Sequence, residues 1–414
     1  MAVEAAAAAN SAHIRRKSIG GRPFKSSPDL TLLLENLSKE ARIEPARLRL
    51  SGPLGEGAYA SVRRAELRAG ASLPGGEADT RQVAVKFLHQ QLLEDAEQVQ
   101  LFVQEVELLR TLRHSNIVEF IGCSWQRAAA NDDFARAGAP GLANVSPPPA
   151  KYGPIKVHYY VQELCGGGSL GELVRRQMVK PYKPLYSDMD ALRWSLHTAR
   201  ALQYLHESRP VIMHRDLKLD NIMLSSADVA RADVKLADFG LARHTAHAPL
   251  PSKAPAPLVE LTCNACPPAQ PEPGASRRGG STRGATPHHV PVLTGRTGSL
   301  GYMAPEVLAS RPYGPSADIF SLGMCMYNLF ARRLPGFELM LNCSEGSGDP
   351  MEVFAAKVAE GFRPALPPRV PPAVAEVIQA CWKGDAELRP SAGWVVQMLE
   401  RIGESEQAAG LVEV

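Results

Sequence analysis

The stretch "LRLSGPLGEGAYASVRRAEL" (Leu48–Leu67) holds two glycines two apart, Gly55 and Gly57, with Ala60 standing where a third would complete G-x-G-x-x-G. Such loops cradle phosphates, and the element after the glycines separates one kind from another. A dinucleotide-binding unit opens a helix directly after them. Here apolar-rich runs lie on both sides, which reads as two strands joined by a hairpin. The dinucleotide reading therefore falls. Ala60 weakens the motif without breaking it, because a methyl group on a returning strand is tolerable unless φ is positive.

Working outward, "AGASLPGGEAD" (69–79) is a loop by composition. "QVAVKFL" (82–88) alternates and is β-branched, a third strand. In "DAEQVQLFVQEVELLRTLRH" (95–114), Val99, Phe102, Val103, Val106 and Leu109 recur at three-to-four spacing, a helix with one buried stripe. "NIVEFIGCSW" and "KVHYYVQEL" read as strands, separated by an Ala/Pro-rich segment from Arg127 to Pro154. After Gly168 the pattern turns helical. "MDALRWSLHTARALQYLHES" (189–208) is amphipathic, and "ADIFSLGMCMYNLFA" (317–331) is apolar nearly all round, hence buried.

A glycine hairpin, a strand bearing Lys86 and a helix bearing Glu105 come first. "HRDLKLDN" (214–221), "DFG" (238–240) and "APE" (304–306) then come in order. On these motifs the chain resembles the eukaryotic protein kinase family from about Arg47 to Ile402. "HSNIVEFIG", "CGGGSLGEL", "GSLGYMAPEV" and "CWKGDAELRPS" are most similar to the tyrosine-kinase-like group of serine/threonine kinases.

The resemblance implies an α+β, bilobal fold: a small antiparallel-sheet N-lobe with one key helix, and a mainly helical C-lobe. The expected division is a disordered extension over 1–44, a kinase domain over 45–403 and a tail over 404–414. Within the domain the N-lobe takes about 45–162 and the C-lobe about 163–403. A Pro/Gly/Ser-rich insertion, about 244–293, sits between "DFG" and "APE" and reads as disordered. Its length exceeds what is usual in the family.

The implied chemistry is transfer of the ATP γ-phosphate to protein Ser/Thr hydroxyls with Mg²⁺, in intracellular signalling. Gly55 and Gly57 open the loop to the phosphates, with Tyr59 at the hairpin tip. Lys86 reaches the phosphates and pairs with Glu105, which takes precedence over Glu107. Asp216 accepts or orients the substrate hydroxyl proton, and Lys218 aims at the γ-phosphate. Asn221 and Asp238 supply oxygen ligands for Mg²⁺. Leu54, Val62 and Ala84 clamp the adenine from above and Met223 from below. Gln162 guards the rear of the pocket, and Glu163 to Cys165 form the hinge. Leu109, Phe120, His214 and Phe239 match a stack joining the lobes, with Asp318 beneath. Glu306 and Arg389 match a buried ion pair. Arg215, beside Asp216, resembles the arginine of kinases switched on by an upstream kinase. Thr294 and Thr297 are the candidate acceptors, and Ser299 matches a hydroxyl that contacts the catalytic loop.

Two rival readings accompany this one. A pseudokinase scaffold would lack part of the set Lys86, Asp216, Asn221 and Asp238, all of which are present. Dual specificity toward tyrosine stays open, although Lys218 is the serine/threonine form.

The totals agree with an enzyme partnered by proteins. The 414 residues are 45% hydrophobic and 21% charged with net charge +3, so no strong field draws the chain to nucleic acid. No apolar run approaches the roughly 20 residues of a membrane helix. Seven scattered cysteines favour reduced thiols, and thus the cytoplasm or nucleus. The first 28 residues hold one acid, Glu4, an alanine run and "RRKS". A phosphorylatable tail has that composition, as does an organelle transit peptide. Cys263, Cys266, His288 and His289 hint at zinc, but the long spacing and the adjoining histidines argue against it.

Overall fold

The computed structural model describes residues 41–57, 60–68, 80–92, 96–127, 155–245, 296–337 and 349–408. Tyr59, Thr294, the 69–79 loop, the Cys263–His289 group and nearly all of the 1–44 extension and the 244–293 insertion lie outside these residues.

Five strands make the N-lobe sheet: β1 (Leu48–Glu56), β2 (Ala60–Arg68), β3 (Thr80–Leu88), β4 (Phe120–Arg127) and β5 (Ile155–Glu163). They lie in the order β1-β2-β3-β5-β4, antiparallel throughout. Side chains alternate between faces as the two-residue period demands. Val83, Val85, Tyr159 and Val161 pack on the outer face with Ala65 and Leu67. Ala84, Lys86, Tyr160 and Gln162 therefore share the inner face. Helix α1 (Ala96–Thr111) buries the expected stripe of Val99, Phe102, Val103, Val106 and Leu109.

The ordered N-lobe starts before residue 45, the expected boundary. Ile43 is buried in the outer-face cluster, its N–H donates to the Cys123 carbonyl at 3.0 Å, and its carbonyl accepts from the Tyr159 hydroxyl at 2.8 Å. Gly122 permits this approach: a Cβ there would meet the Ala41 carbonyl oxygen at 2.6 Å. One isolated isoleucine in a polar tail carries no periodicity, so the sequence pattern missed it.

From β5 the chain crosses to the C-lobe through Gly166–Gly168, with Gly168 at φ 76°. Helix α2 (Leu170–Val179) begins with a capping box between Ser169 and Glu172, and α3 (Asp188–Glu207) with one between Ser187 and Asp190. Two short antiparallel strand pairs, β6 (Val211–Met213) with β9 (Arg243–Thr245) and β7 (Ile222–Leu224) with β8 (Val234–Leu236), hold the loops between them. The short α4 (Pro305–Leu308) carries Glu306. Helix α5 (Ser316–Ala331) is buried at every position, as its apolar composition requires. Helices α6 (Pro350–Ala359), α7 (Pro372–Cys381) and α8 (Ala392–Ala408) complete the lobe. The last helix runs five residues beyond the expected end at 403. Ile402 is buried, and the helix passes through the single Gly403 that follows it, because one glycine weakens a helix without ending it and backbone bonding carries it on.

Glu306 and Arg389 form the expected pair, bidentate at 2.7 and 2.8 Å. Arg389 also donates to the carbonyls of Ser316 and Lys383. All its nitrogens are thus matched without water. Arg389→Met should destabilise the C-lobe by about 3–5 kcal/mol, since the Glu306 charge would remain buried alone. Urea unfolding of both proteins measures it, and a loss below about 1 kcal/mol would show the pair to be dispensable.

Candidate active site

A charged triangle joins the two lobes. Lys86 Nζ lies 2.8 Å from Glu105 Oε1 and 3.0 Å from Asp238 Oδ1. Strand β3 aims the lysine inward, α1 brings the glutamate, and the loop after β8 brings the aspartate. Burial alone would lower the lysine pKa, but Asp238 and Glu105 together raise it well above its ordinary value. The same lysine holds the Asp238 carboxyl down at about 2, against the opposing effect of burial. Both groups are charged at neutral pH. A hydroxyl that the sequence reading did not assign joins them: Tyr160 donates to Glu105 Oε1 at 2.7 Å.

In the catalytic loop, Asp216 is met by three side chains. Lys218 Nζ donates to Oδ2 at 2.9 Å, Asn221 Nδ2 to Oδ2 at 3.2 Å, and the Ser299 hydroxyl to Oδ1 at 2.9 Å. Lys218 also reaches Ser299 Oγ at 2.9 Å, and its pKa is raised because Asp216 outweighs burial. The Asn221 amide nitrogen donates to the Asp216 carbonyl as well, at 2.8 Å, which turns its oxygen away from Asp216. Asp238, on the facing loop, spends one carboxylate oxygen on Lys86. Both residues thus offer an oxygen beside the catalytic loop, a donor set that suits a hard cation.

Two residues here sit in left-handed backbone, Arg215 at φ 69° and Asp238 at φ 62°. Outside glycine such conformations cost on the order of 1–3 kcal/mol each. Asp318 compensates for the first. Its carboxylate accepts from the backbone N–H of His214 and Arg215, both at 2.9 Å, and from His206 Nε2 at 2.9 Å. His214 is fully buried, donates from Nε2 to the Ala237 carbonyl and packs edge-on against Phe239 at 5.1 Å. That is a structural position, as expected, and Leu109, Phe120 and Phe239 are buried in the same cluster.

The expected nucleotide wall is distributed over four elements. Gly55 faces open space, with nothing within 4 Å of a Cβ built there, and the Gly57 N–H donates to the Ala60 carbonyl at 2.9 Å. Leu54 is exposed, Val62 and Met223 half-buried, and Ala84 buried beside Gln162. Glu163 departs from a simple lining role: its carboxylate pairs with Lys235 at 3.0 Å and accepts from the Glu119 N–H. The hinge is thereby tied to both lobes. Burial pushes the Cys165 thiol up to about 12, which disfavours the thiolate a nucleophile would need. Behind Gln162 the rings of Tyr160, Phe102 and Phe120 pack together, at centroid separations of 5.5 and 6.4 Å from Tyr160. Tyr160 lies two residues before Gln162 on the same face of β5, opposite Lys86. A tyrosine in an apolar strand looks like packing, which is why the pattern hid it.

The family model for the protein kinase domain matches residues 48–256 and 279–399, and the chain belongs to that family. It is 26% identical over 78% of its length to Serine/threonine-protein kinase STY17 of Arabidopsis thaliana, and 26% identical over 86% to Serine/threonine-protein kinase CTR1 of the same plant. It is also 25% identical over 84% of its length to Seven transmembrane domain-containing tyrosine-protein kinase 1 of Dictyostelium discoideum. It spans 41%, 32% and 37% of these relatives respectively, less than half of each. STY- and CTR1-type enzymes belong to the tyrosine-kinase-like group, the group that the motifs resembled. No helix among the described residues is long and apolar enough to cross a membrane.

Ala60 lies in β2, opposite Leu88, without a positive φ. Ala60→Gly should therefore cost only about 0.4–1 kcal/mol of stability, through the unfolded chain. The Michaelis constant for ATP should move less than about threefold, since about 0.6 kcal/mol corresponds to that ratio. A tenfold change in steady-state assays would show that the methyl group touches the nucleotide.

Proposed function

We propose that the chain transfers the γ-phosphate of ATP to serine or threonine hydroxyls of proteins, assisted by Mg²⁺, as part of intracellular signalling. The observation that carries this reading is the hydroxyl of Ser299 held 2.9 Å from both Asp216 and Lys218. The loop thus already seats an alcohol between a carboxylate and an ammonium. A substrate hydroxyl needs the same two neighbours: one to accept its proton, one to balance charge on the group being transferred.

Lys86 would hold phosphate oxygens, and Glu105 would keep Lys86 extended across the cleft. Asn221 and Asp238 would hold Mg²⁺, which when bound neutralises phosphate charge. The complete set of charged residues favours an enzyme over a pseudokinase scaffold. The Lys218–Asp216 contact favours serine and threonine over tyrosine. Protein substrates are implied by the family, and the modest charge supports partners other than nucleic acid.

Arg215 supports regulation by an upstream kinase. Its guanidinium bonds the Tyr313 hydroxyl at 2.7 and 3.0 Å, the Leu241 carbonyl at 3.3 Å and the Thr297 hydroxyl at 3.2 Å. Among the described residues these acceptors are all neutral. A phosphate on Thr297 would exchange a hydroxyl contact for charge-assisted bonds and order the segment.

Asp216→Asn should lower turnover about 10²–10⁴-fold, the usual contribution of a positioned base, with ATP affinity unchanged. Radiolabelled transfer to a peptide array and calorimetric ATP titration check both halves, and wild-type turnover in the variant would refute the assignment. Thr297→Ala should lower activity and abolish any stimulation by phosphorylation. An equally active variant under the same assay would leave Arg215 a structural residue.

A further inference from the structure

Tyr160 is placed where a hydroxyl acts on the catalytic pair itself. Its Cα lies opposite Lys86 in the β3–β5 register, and Cys123 of β4 flanks it on the other side. The ring is 1% exposed and packs against Phe102, which projects from the same helix as Glu105. From that site the hydroxyl donates to Glu105 Oε1, the oxygen that also accepts from Lys86. One carboxylate oxygen therefore takes two donors from neighbouring strands.

The two donors are not equivalent. Lys86 is shared already, at 3.0 Å from Asp238, and phosphate groups would compete for it further. The tyrosine hydroxyl is enclosed and has Glu105 as its bonded partner. Burial and the adjacent carboxylate raise its pKa well above 10, so it stays a neutral donor. Glu105 is only 5% exposed, and a carboxylate so placed is costly without donors. When Lys86 turns toward a nucleotide, a buried Glu105 lacking a second donor would be driven toward solvent, drawing its helix with it.

We propose that Tyr160 is a positioning residue, whose hydroxyl retains Glu105 and helix α1 in the ion-paired arrangement while Lys86 serves the phosphates. Its kinetic consequence rests on the phosphotransfer reading above, whereas the position of the helix does not. The ring contributes packing in either case, so the hydroxyl is the part to remove.

Tyr160→Phe keeps the ring and deletes the donor. Tyr160→Met, a flexible apolar filler, is the second deletion should the first not fold. Hydrogen exchange of the α1 amides is measured with and without a non-hydrolysable ATP analogue, and turnover is measured in parallel, each also in a Glu105→Gln background. The hydrogen bond to a charged group predicts about tenfold or more faster α1 exchange with the analogue bound. It predicts a similar fall in turnover, with a smaller change in the Michaelis constant for ATP. With Glu105→Gln already present, removing the hydroxyl should add less than about twofold to either effect, because coupled residues are not additive. Unchanged α1 exchange in the folded single variant, or equal effects in both backgrounds, would reduce Tyr160 to packing. Altered exchange with no measurable phosphotransfer even in the wild type would instead overturn the functional reading and leave the clamp standing.

Discussion

One carboxylate buried beneath the catalytic loop, that of Asp318, sets the geometry on which the rest of the site depends. Burial would push its pKa up, yet the hydrogen bond and charge of His206, with the backbone N–H of Arg215, hold it below the ordinary value. The loop benefits in return. Two consecutive N–H groups are satisfied, and Arg215 can keep a positive φ. That turn sends the Arg215 side chain toward Thr297 and Tyr313 and leaves Asp216 facing Lys218 and Ser299. Helix α5 carries Asp318 and is buried on all sides, so the anchor cannot shift without disturbing the C-lobe core.

The junction between the lobes is organised differently. Its charged triangle draws on three elements that meet only in the folded state: β3, α1 and the loop after β8. Electrostatic attraction supplies the closure, and the inner face of the sheet supplies the low-dielectric setting that strengthens it. The neighbouring tyrosines of β5 divide between the faces. Tyr159 bonds the Ile43 carbonyl on the outer side, while Tyr160 bonds Glu105 on the inner side. A single strand thus couples the N-terminal segment, the sheet and Glu105.

The hinge shows how a lining residue can have a second task. The resemblance puts Glu163 at the adenine, yet its side chain spans from Lys235 to the Glu119 N–H. Since Lys235 is the central residue of β8, the Glu163 carboxylate pins β5 to the C-lobe. Gly167 allows the hinge to run close to the chain after β7: a Cβ there would collide with the Ser226 carbonyl oxygen.

Much of this architecture was legible in the linear order of residues. Periodicity located the five strands, helix α1 with its buried stripe, and the wholly buried α5, because a side chain's face is set directly by its spacing. The ordered motifs singled out Lys86, Glu105, Asp216, Lys218, Asn221 and Asp238, since the chemistry expected of them depends on residue type and order, and the fold brings Lys86, Glu105 and Asp238 into one group and Asp216, Lys218 and Asn221 into another. Contacts between distant residues left no such trace. Ile43 at the sheet edge, Tyr160 on Glu105, Glu163 on Lys235 and Tyr313 on Arg215 each join segments whose approach is decided by packing. An isoleucine or tyrosine reads the same wherever it lies in an apolar run. Only the folded chain shows which hydroxyl faces a buried charge, because burial, and not sequence neighbours, leaves that charge in need of a donor.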